Sequence, residues 1–151
     1  RLVALDQVTK LLVRMALPLH SEVPLVPGLL NLTHVQNTGA AFGFLNAADF
    51  PYKTLAIAVV ATLALISVGL YSATLAQQQV AARIGLALII GGATGNLIDR
   101  LFVGSVVDFV DVYWRNWHFW AFNVADSAIT VGVVIMILDM LGMGTHVSKT
   151  A

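Results

Sequence analysis

Three long stretches of the chain carry few charged side chains. Between Thr54 and Ala82 there is none. Within that stretch, Tyr52 to Thr74 reads as one membrane-spanning helix, since a crossing takes about 20 apolar residues. Gln77-Gln78-Gln79 then makes a short polar turn. The next apolar stretch, Ala81 to Ile98, has Arg83 near one end and Asp99-Arg100 at the other. Within it Ala87, Gly91 and Gly95 recur every four residues, a row of small side chains that lets a neighbouring helix approach closely. The last stretch, Phe119 to Met143, is interrupted by Asp126 and Asp139.

The first segment differs. Leu2 to Leu17 is apolar but broken by Asp6, Lys10 and Arg14, and Pro18 limits it. At 1.5 Å per residue it is too short to cross a hydrocarbon core of about 30 Å. It reads as the outer part of a truncated first span, in keeping with a chain that begins at Arg1. The charges inside it argue against a cleaved signal peptide. From Leu19 to Asp49 the texture changes: Pro18, Pro24, Pro27 and Gly28 punctuate the chain, and Leu29 to Val35 suits short strands. Residues 113–120, Tyr-Trp-Arg-Asn-Trp-His-Phe-Trp, form an aromatic cluster suited to the headgroup level. The fold expected is all-α and integral to the membrane. It has four transmembrane helices, with a small extracytoplasmic β-sheet region between helices 1 and 2, in one domain over residues 1–151.

Composition agrees and narrows the chemistry. The chain is 58% hydrophobic and 11% charged, with a mean hydropathy of +0.85. The formal net charge is +0, without the basic footprint of a nucleic-acid binder. There is no cysteine, so disulfides, zinc thiolates and a cysteine nucleophile are excluded. Charge bias does not fix orientation: Arg1, Arg83 and Lys149 fall on one side, and Lys53, Arg100 and Arg115 on the other.

Two aspartates stand out, Asp108 in Ser-Val-Val-Asp-Phe-Val and Asp126 in Ala-Phe-Asn-Val-Ala-Asp-Ser. A carboxylate near hydrocarbon is costly and tends to be kept where it faces a protein interior or a wet cavity. Asp108 also reads as a turn residue, as Asp111 does. Asp126 also reads as a charge complementing a helix N-terminus, although apolar Phe119 to Phe122 would put it a turn or more inside the helix. The two flank the aromatic hairpin, which would bring both to one membrane depth. Two such carboxyl groups cannot both ionise readily, so one keeps a proton. The ionised one can take a proton from an attacking water while the other polarises the substrate carbonyl.

Other polar residues fall at helical spacings. Asp6 and Lys10 share a face, as a neutralising ion pair or as the polar wall of a site. Asn96, Asp99 and Arg100 share another, where Arg100 alone would be a favourable helix-end charge. Asn123 and Asp126 lie three apart. His20, His34, His118 and His146 are scattered and read as interfacial or loop residues, so no metal and no cofactor is expected. No Gly-x-Ser-x-Gly elbow occurs, and glycine-rich 91–96 lacks the Lys-Ser/Thr of a phosphate loop. A small transporter or proton-relay subunit would carry similar intramembrane charges, and a purely structural subunit could use them as inter-helix glue.

Five blocks together resemble one family, the bacterial lipoprotein signal peptidases, or signal peptidase II. They are Asp6-Gln7-Val8-Thr9-Lys10; the run from Asn31 to Phe44, with Asn37-Thr38-Gly39-Ala40-Ala41-Phe42-Gly43 inside it; the run from Gly91 through Asn96 to Asp99-Arg100; Val106-Val107-Asp108-Phe109; and Phe122-Asn123-Val124-Ala125-Asp126. The resemblance implies a four-span aspartic endopeptidase of the bacterial inner membrane, with its active site near the outer, periplasmic face. It would remove the signal peptide of a diacylglyceryl-modified prolipoprotein just before the lipidated cysteine. Asp108 and Asp126 would be the catalytic pair. Asp6, Lys10, Asn37, Asn96, Asp99, Arg100 and Asn123 would line or brace the site, and Gly39 and Gly43 would permit close backbone approach. Expected partners are the lipidated substrate, membrane lipid and globomycin-type cyclic peptide inhibitors, with no nucleic acid and the enzyme a monomer.

Overall fold

The structure, a computed structural model, describes residues 1–39 and 51–142. The Ala40–Phe44 end of the second block, with Gly43, and also His146 and Lys149, lie outside the described residues. Among the described residues there are four helices: α1 (Leu2–Ala16), α2 (Lys53–Thr74), α3 (Val80–Phe102) and α4 (Val124–Met140). Four strands, β1 (Glu22–Val26), β2 (Leu30–Asn37), β3 (Val106–Trp114) and β4 (Trp117–His118), form one antiparallel sheet in that spatial order.

Helices α2 and α3, of 22 and 23 residues, are long and apolar enough to cross a membrane. In α2 only Ala58 is buried, while Leu55, Val60, Leu63 and Leu70 point outward. A helix apolar on every face, with little protein around it, is suited to lipid surroundings. The small-residue row on α3 has an identifiable neighbour. A Cβ on Gly91 would run into Leu2, and one on Gly95 into the Asp6 carboxylate, so this row receives α1.

Several expectations need correction. The sheet does not lie wholly between the first two helices: β3 and β4 come from the segment between α3 and α4. Val106, Val107, Phe109, Val110, Val112 and Tyr113 are β-branched or aromatic, the residues a pleated surface favours. Val107 and Phe109 are buried against Val13 of α1. Asp108 and Asp111 are therefore buried strand residues rather than turn residues.

The last helix starts at Val124, not at Phe119. Phe122 bridges Val110 in extended conformation. Asn123 then stops the extended chain, because its side chain accepts the backbone N–H of Asp126 while the Asp126 carboxylate accepts the N–H of Asn123. This reciprocal capping box sits at the helix's first turn. Asp126 is thus an N-terminal residue of α4, not one buried a turn or more inside it.

Candidate active site

The site draws on five elements: the middle of α1, the end of β2, the C-terminal end of α3, β3 and the start of α4. From α1, Asp6 and Lys10 are fully buried on one helical face. Lys10 Nζ lies 2.8 Å from Asp6 Oδ2 and 2.7 Å from Asp99 Oδ2, and it donates to Asn96 Oδ1 at 2.8 Å. Asp6 Oδ1 accepts the N–H of Ala125 at 3.0 Å, satisfying a first-turn donor of α4. The ion-pair reading of Asp6 and Lys10 is therefore the one realised, with Asp99 as a second anion. Gln7, to which the sequence reading gave no role, donates to Gly95 O at 3.1 Å and Asp6 Oδ2 at 3.2 Å. Its place beside Asp6, in the polar stretch Asp6 to Lys10, was the available signal.

Asn96 faces two ways. Its Oδ1 accepts from Lys10, which leaves Nδ2 to donate to Asp126 Oδ1 at 2.8 Å. Asn123, fully buried, donates Nδ2 to Asp108 Oδ1 at 2.7 Å. Its backbone N–H donates to Asp126 Oδ2 at 3.2 Å. Asn37, at the end of β2, donates to the other Asp108 oxygen at 3.1 Å. The β2–β3 register makes that contact: Asn37 pairs with Val106 and Val35 with Asp108. Arg100 donates to the Asn96 carbonyl at 3.2 Å and to the Gly39 carbonyl at 2.9 Å, tying the end of β2 to α3. Gly39 in turn donates its N–H to Asn37 Oδ1 at 2.9 Å. Asp6, Lys10, Asn37, Gly39, Asn96, Asp99, Arg100, Asp108, Asn123 and Asp126 thus join in one polar network.

Asp108, Asp126, Asn37, Asn96 and Arg100 face a cavity of about 950 Å³. Away from these residues its walls are apolar, with Val60, Ala64 and Val68 of α2 facing Ile89 and Ala93 of α3 and Ile129 of α4. Phe119, Trp120 and Phe122 line it from the segment entering α4. The groove is amphipathic along its length, with two carboxyl groups at its polar end. Burial pushes Asp108 up to about 7, and the nearby Asp126 carboxylate pushes the same way. Hydrogen bonds from Asn37 and Asn123 hold it down in part.

His34 and His118 are not loop residues. His34 is buried on β2, with Nδ1 2.8 Å from the Leu17 carbonyl. His118 lies on β4, with Nδ1 2.9 Å from Asp111 Oδ2.

The family model for signal peptidase II matches residues 1–142. The chain belongs to the signal peptidase II family. It is 46% identical over 137 residues to the lipoprotein signal peptidase of Geobacter metallireducens, spanning 91% of this chain and 83% of that one. The lipoprotein signal peptidase of Desulforapulum autotrophicum is 45% identical over 141 residues, covering 93% of this chain and 86% of that one. Among solved structures, a bacterial membrane enzyme determined by the in meso method superposes with a TM-score of 0.84 at 30% identity, covering 99% of this chain and 88% of that one.

Proposed function

We propose that this chain is a membrane aspartic endopeptidase that removes signal peptides from lipid-modified prolipoproteins, with Asp108 and Asp126 as its catalytic pair. Family membership supports the reaction class. The observation that carries the assignment of the pair is the polar end of the groove. There two carboxyl groups share one cavity, Asp108 accepting from the Asn37 and Asn123 side chains and Asp126 from the Asn96 side chain and the Asn123 backbone N–H. An amide donor orients a carboxylate without neutralising it, so the proton stays exchangeable. With Asp108 pushed up to about 7, one proton resides on the pair near neutral pH. The ionised carboxyl takes a proton from water as the water attacks the scissile carbonyl. The protonated one polarises that carbonyl and then helps protonate the leaving amine.

All four helices would cross the membrane in one domain, α1 and α4 by less than a full crossing each within the described residues. The groove's apolar length suits the signal peptide's core. With the groove lined by α2, α3 and α4, the substrate's acyl chains would stay in lipid while the scissile bond reaches the polar end. In this reading the enzyme is a monomer of the inner membrane, with the sheet and the pair toward the periplasmic face, and a globomycin-type cyclic peptide would occupy the same polar end. The deciding experiment incubates the purified protein with a diacylglyceryl-modified prolipoprotein and follows the gel shift of signal-peptide loss. A shift for the lipidated substrate and none for the unlipidated one is expected. No shift for either would overturn the reading.

A further inference from the structure

The rim of the groove lies outside every helix and every strand. Phe119 and Trp120 line the cavity from the short stretch between β4 and α4. Phe119 donates its N–H to the Val112 carbonyl at 2.8 Å, and Phe122 donates to the Val110 carbonyl at 3.0 Å. Strand β4, which leads into this rim, is only two residues long and pairs through Tyr113↔His118 and Trp114↔Trp117. These backbone bonds tie Phe119 and Phe122 to β3, and the short β4 ladder continues the tie.

A side-chain chain adds to it. Asp111 of β3 is 5% exposed, and its two carboxylate oxygens lie 3.0 and 2.9 Å from His118 Nδ1. Asn31 of β2 donates to Asp111 Oδ2 at 3.1 Å. The His118 ring lies flat on Tyr113, with centroids 5.2 Å apart and an interplanar angle of 11°. The Tyr113 hydroxyl accepts the Gly28 N–H from the β1–β2 turn at 2.7 Å. His118 is thus fixed at its edge by a carboxylate and at its face by an aromatic ring, both anchored in the sheet. A buried carboxylate is costly and is retained where its oxygens have partners. Asp111 is three positions from Asp108 on one strand, so the two point to opposite faces of the sheet. The hydrolytic steps make no use of Asp111.

We propose that Asn31, Asp111 and His118 form a clamp that positions the aromatic rim of the groove and so sets how the substrate's apolar segment is seated beside Asp108 and Asp126. The proposal rests on the signal-peptidase reading above. His118 is a positioning residue. It acts through Phe119 and Trp120, while the Asp108 end keeps its own supports from Asn37 and Asn123. Loss of the clamp therefore weakens substrate seating more than it slows the chemical step.

The molecule supplies its own reporter. All three tryptophans, Trp114, Trp117 and Trp120, lie in the hairpin and rim. The test uses the full chain in detergent and compares wild type, His118→Ala and His118→Asn. The side chain of His118 is 48% exposed, so its truncation leaves the buried core in place. An Asn side-chain NH2 at this position reaches the place of His Nδ1 and restores donation to Asp111. For His118→Ala, KM for a lipidated prolipoprotein should rise about three- to tenfold, the scale of one charge-assisted hydrogen bond partly open to solvent. Its kcat should stay within about twofold of wild type, since the hydrogen bonds at the pair remain. Acrylamide quenching of tryptophan should steepen in parallel, and His118→Asn should return both readouts toward wild type. An unchanged KM, a fall in kcat at constant KM, or no recovery with Asn would overturn the clamp while leaving the peptidase reading intact. A wild-type enzyme that leaves the same substrate uncut would instead remove that reading, and the clamp's role with it.

Discussion

Two pairs of carboxylates are buried near each other, and their neighbours treat them oppositely. Asp6 and Asp99 share the ammonium of Lys10, with Arg14 3.8 Å from Asp99 on the outer side. Asp108 and Asp126 receive hydrogen bonds from Asn37, Asn96 and Asn123. Asn96 stands on the boundary, with its oxygen toward Lys10 and its NH2 toward Asp126. The first pair is neutralised by an ion and holds helices together. The second is oriented by neutral hydrogen-bond donors, with Arg100 lining the same cavity, and on the proposed reading it shares a proton. Burial alone does not separate the two pairs, since Asp6 and Asp99 are as deeply buried as Asp108. The difference lies in whether the partner is a charge or an amide.

The largest effect should come from removing the exchangeable proton. Asp108→Asn and Asp126→Asn each keep side-chain size and the surrounding packing. Each should lower kcat by about 10³-fold or more, because an amide cannot serve as acid or base. Cleavage of a lipidated prolipoprotein, measured per folded molecule, checks this. Substantial turnover by either variant would erase the distinction between the two pairs.

The opposite pattern is expected at Lys10. Lys10→Met leaves Asp6 and Asp99 buried without their cation. Breaking a buried ion pair by removing one partner costs about 3–5 kcal/mol. Unfolding in detergent followed by circular dichroism should show the loss, and turnover per folded molecule should fall less than in either Asp→Asn variant. Neutralising the anions as well, in the triple variant Asp6→Asn, Lys10→Met, Asp99→Asn, should recover most of the stability. If Lys10→Met keeps its stability, the cluster is not held by charge.

Asn123 tests the amide side. Asn123→Ala removes one donor to Asp108 and the N-cap of α4. The lost cap costs about 1 kcal/mol of stability. The lost hydrogen bond to a charged group should cost about 10- to 100-fold in kcat. Steady-state kinetics alongside melting would separate the two, and loss of folded protein in proportion to loss of activity would make Asn123 structural.

How much of this was legible follows from what each region packs against. Lipid demands continuous apolar runs, so α2 and α3 were readable almost to their ends: Tyr52 to Thr74 against Lys53–Thr74, and Ala81 to Ile98 against Val80–Phe102. Strand β3 was not. It is buried on both faces, by α1 on one and by the groove on the other, so Val-Val-Asp-Phe-Val lacks a plain alternation and its aspartates looked like turn residues. The role of Asp111 depends on Asn31 across the sheet, a partner that no local pattern encodes. The start of α4 was misread because Phe119 to Phe122 are as apolar as a helix interior, although the Asn123–Asp126 spacing of a cap was present. The residues that the structure gathers into one polar network were singled out through their blocks, and the split between ion-paired and amide-bonded carboxylates appeared only in three dimensions.

The pH dependence of stability is the most diagnostic effect, because it reads the proton directly. Asp108 is pushed from 3.8 to about 7, by burial first and by Asp126 second. Between those values the folded protein holds a proton that the unfolded chain has released. Stability therefore falls as pH rises through that window, and above about 7 the loss is complete. Asp108→Asn has no such proton. Its melting temperature should vary less with pH and exceed that of wild type at about pH 8, with the difference vanishing near about pH 4. Asp126→Asn removes the second cause of the shift, so the fall in stability attributable to Asp108 should move to lower pH. The activity of the wild type should decline above about pH 7 as the pair loses its shared proton. Thermal melts across pH in one detergent would compare all three proteins. Superimposable pH–stability curves for wild type and Asp108→Asn would mean that Asp108 carries no unusual proton, and the contrast with Asp6 and Asp99 would rest on geometry alone.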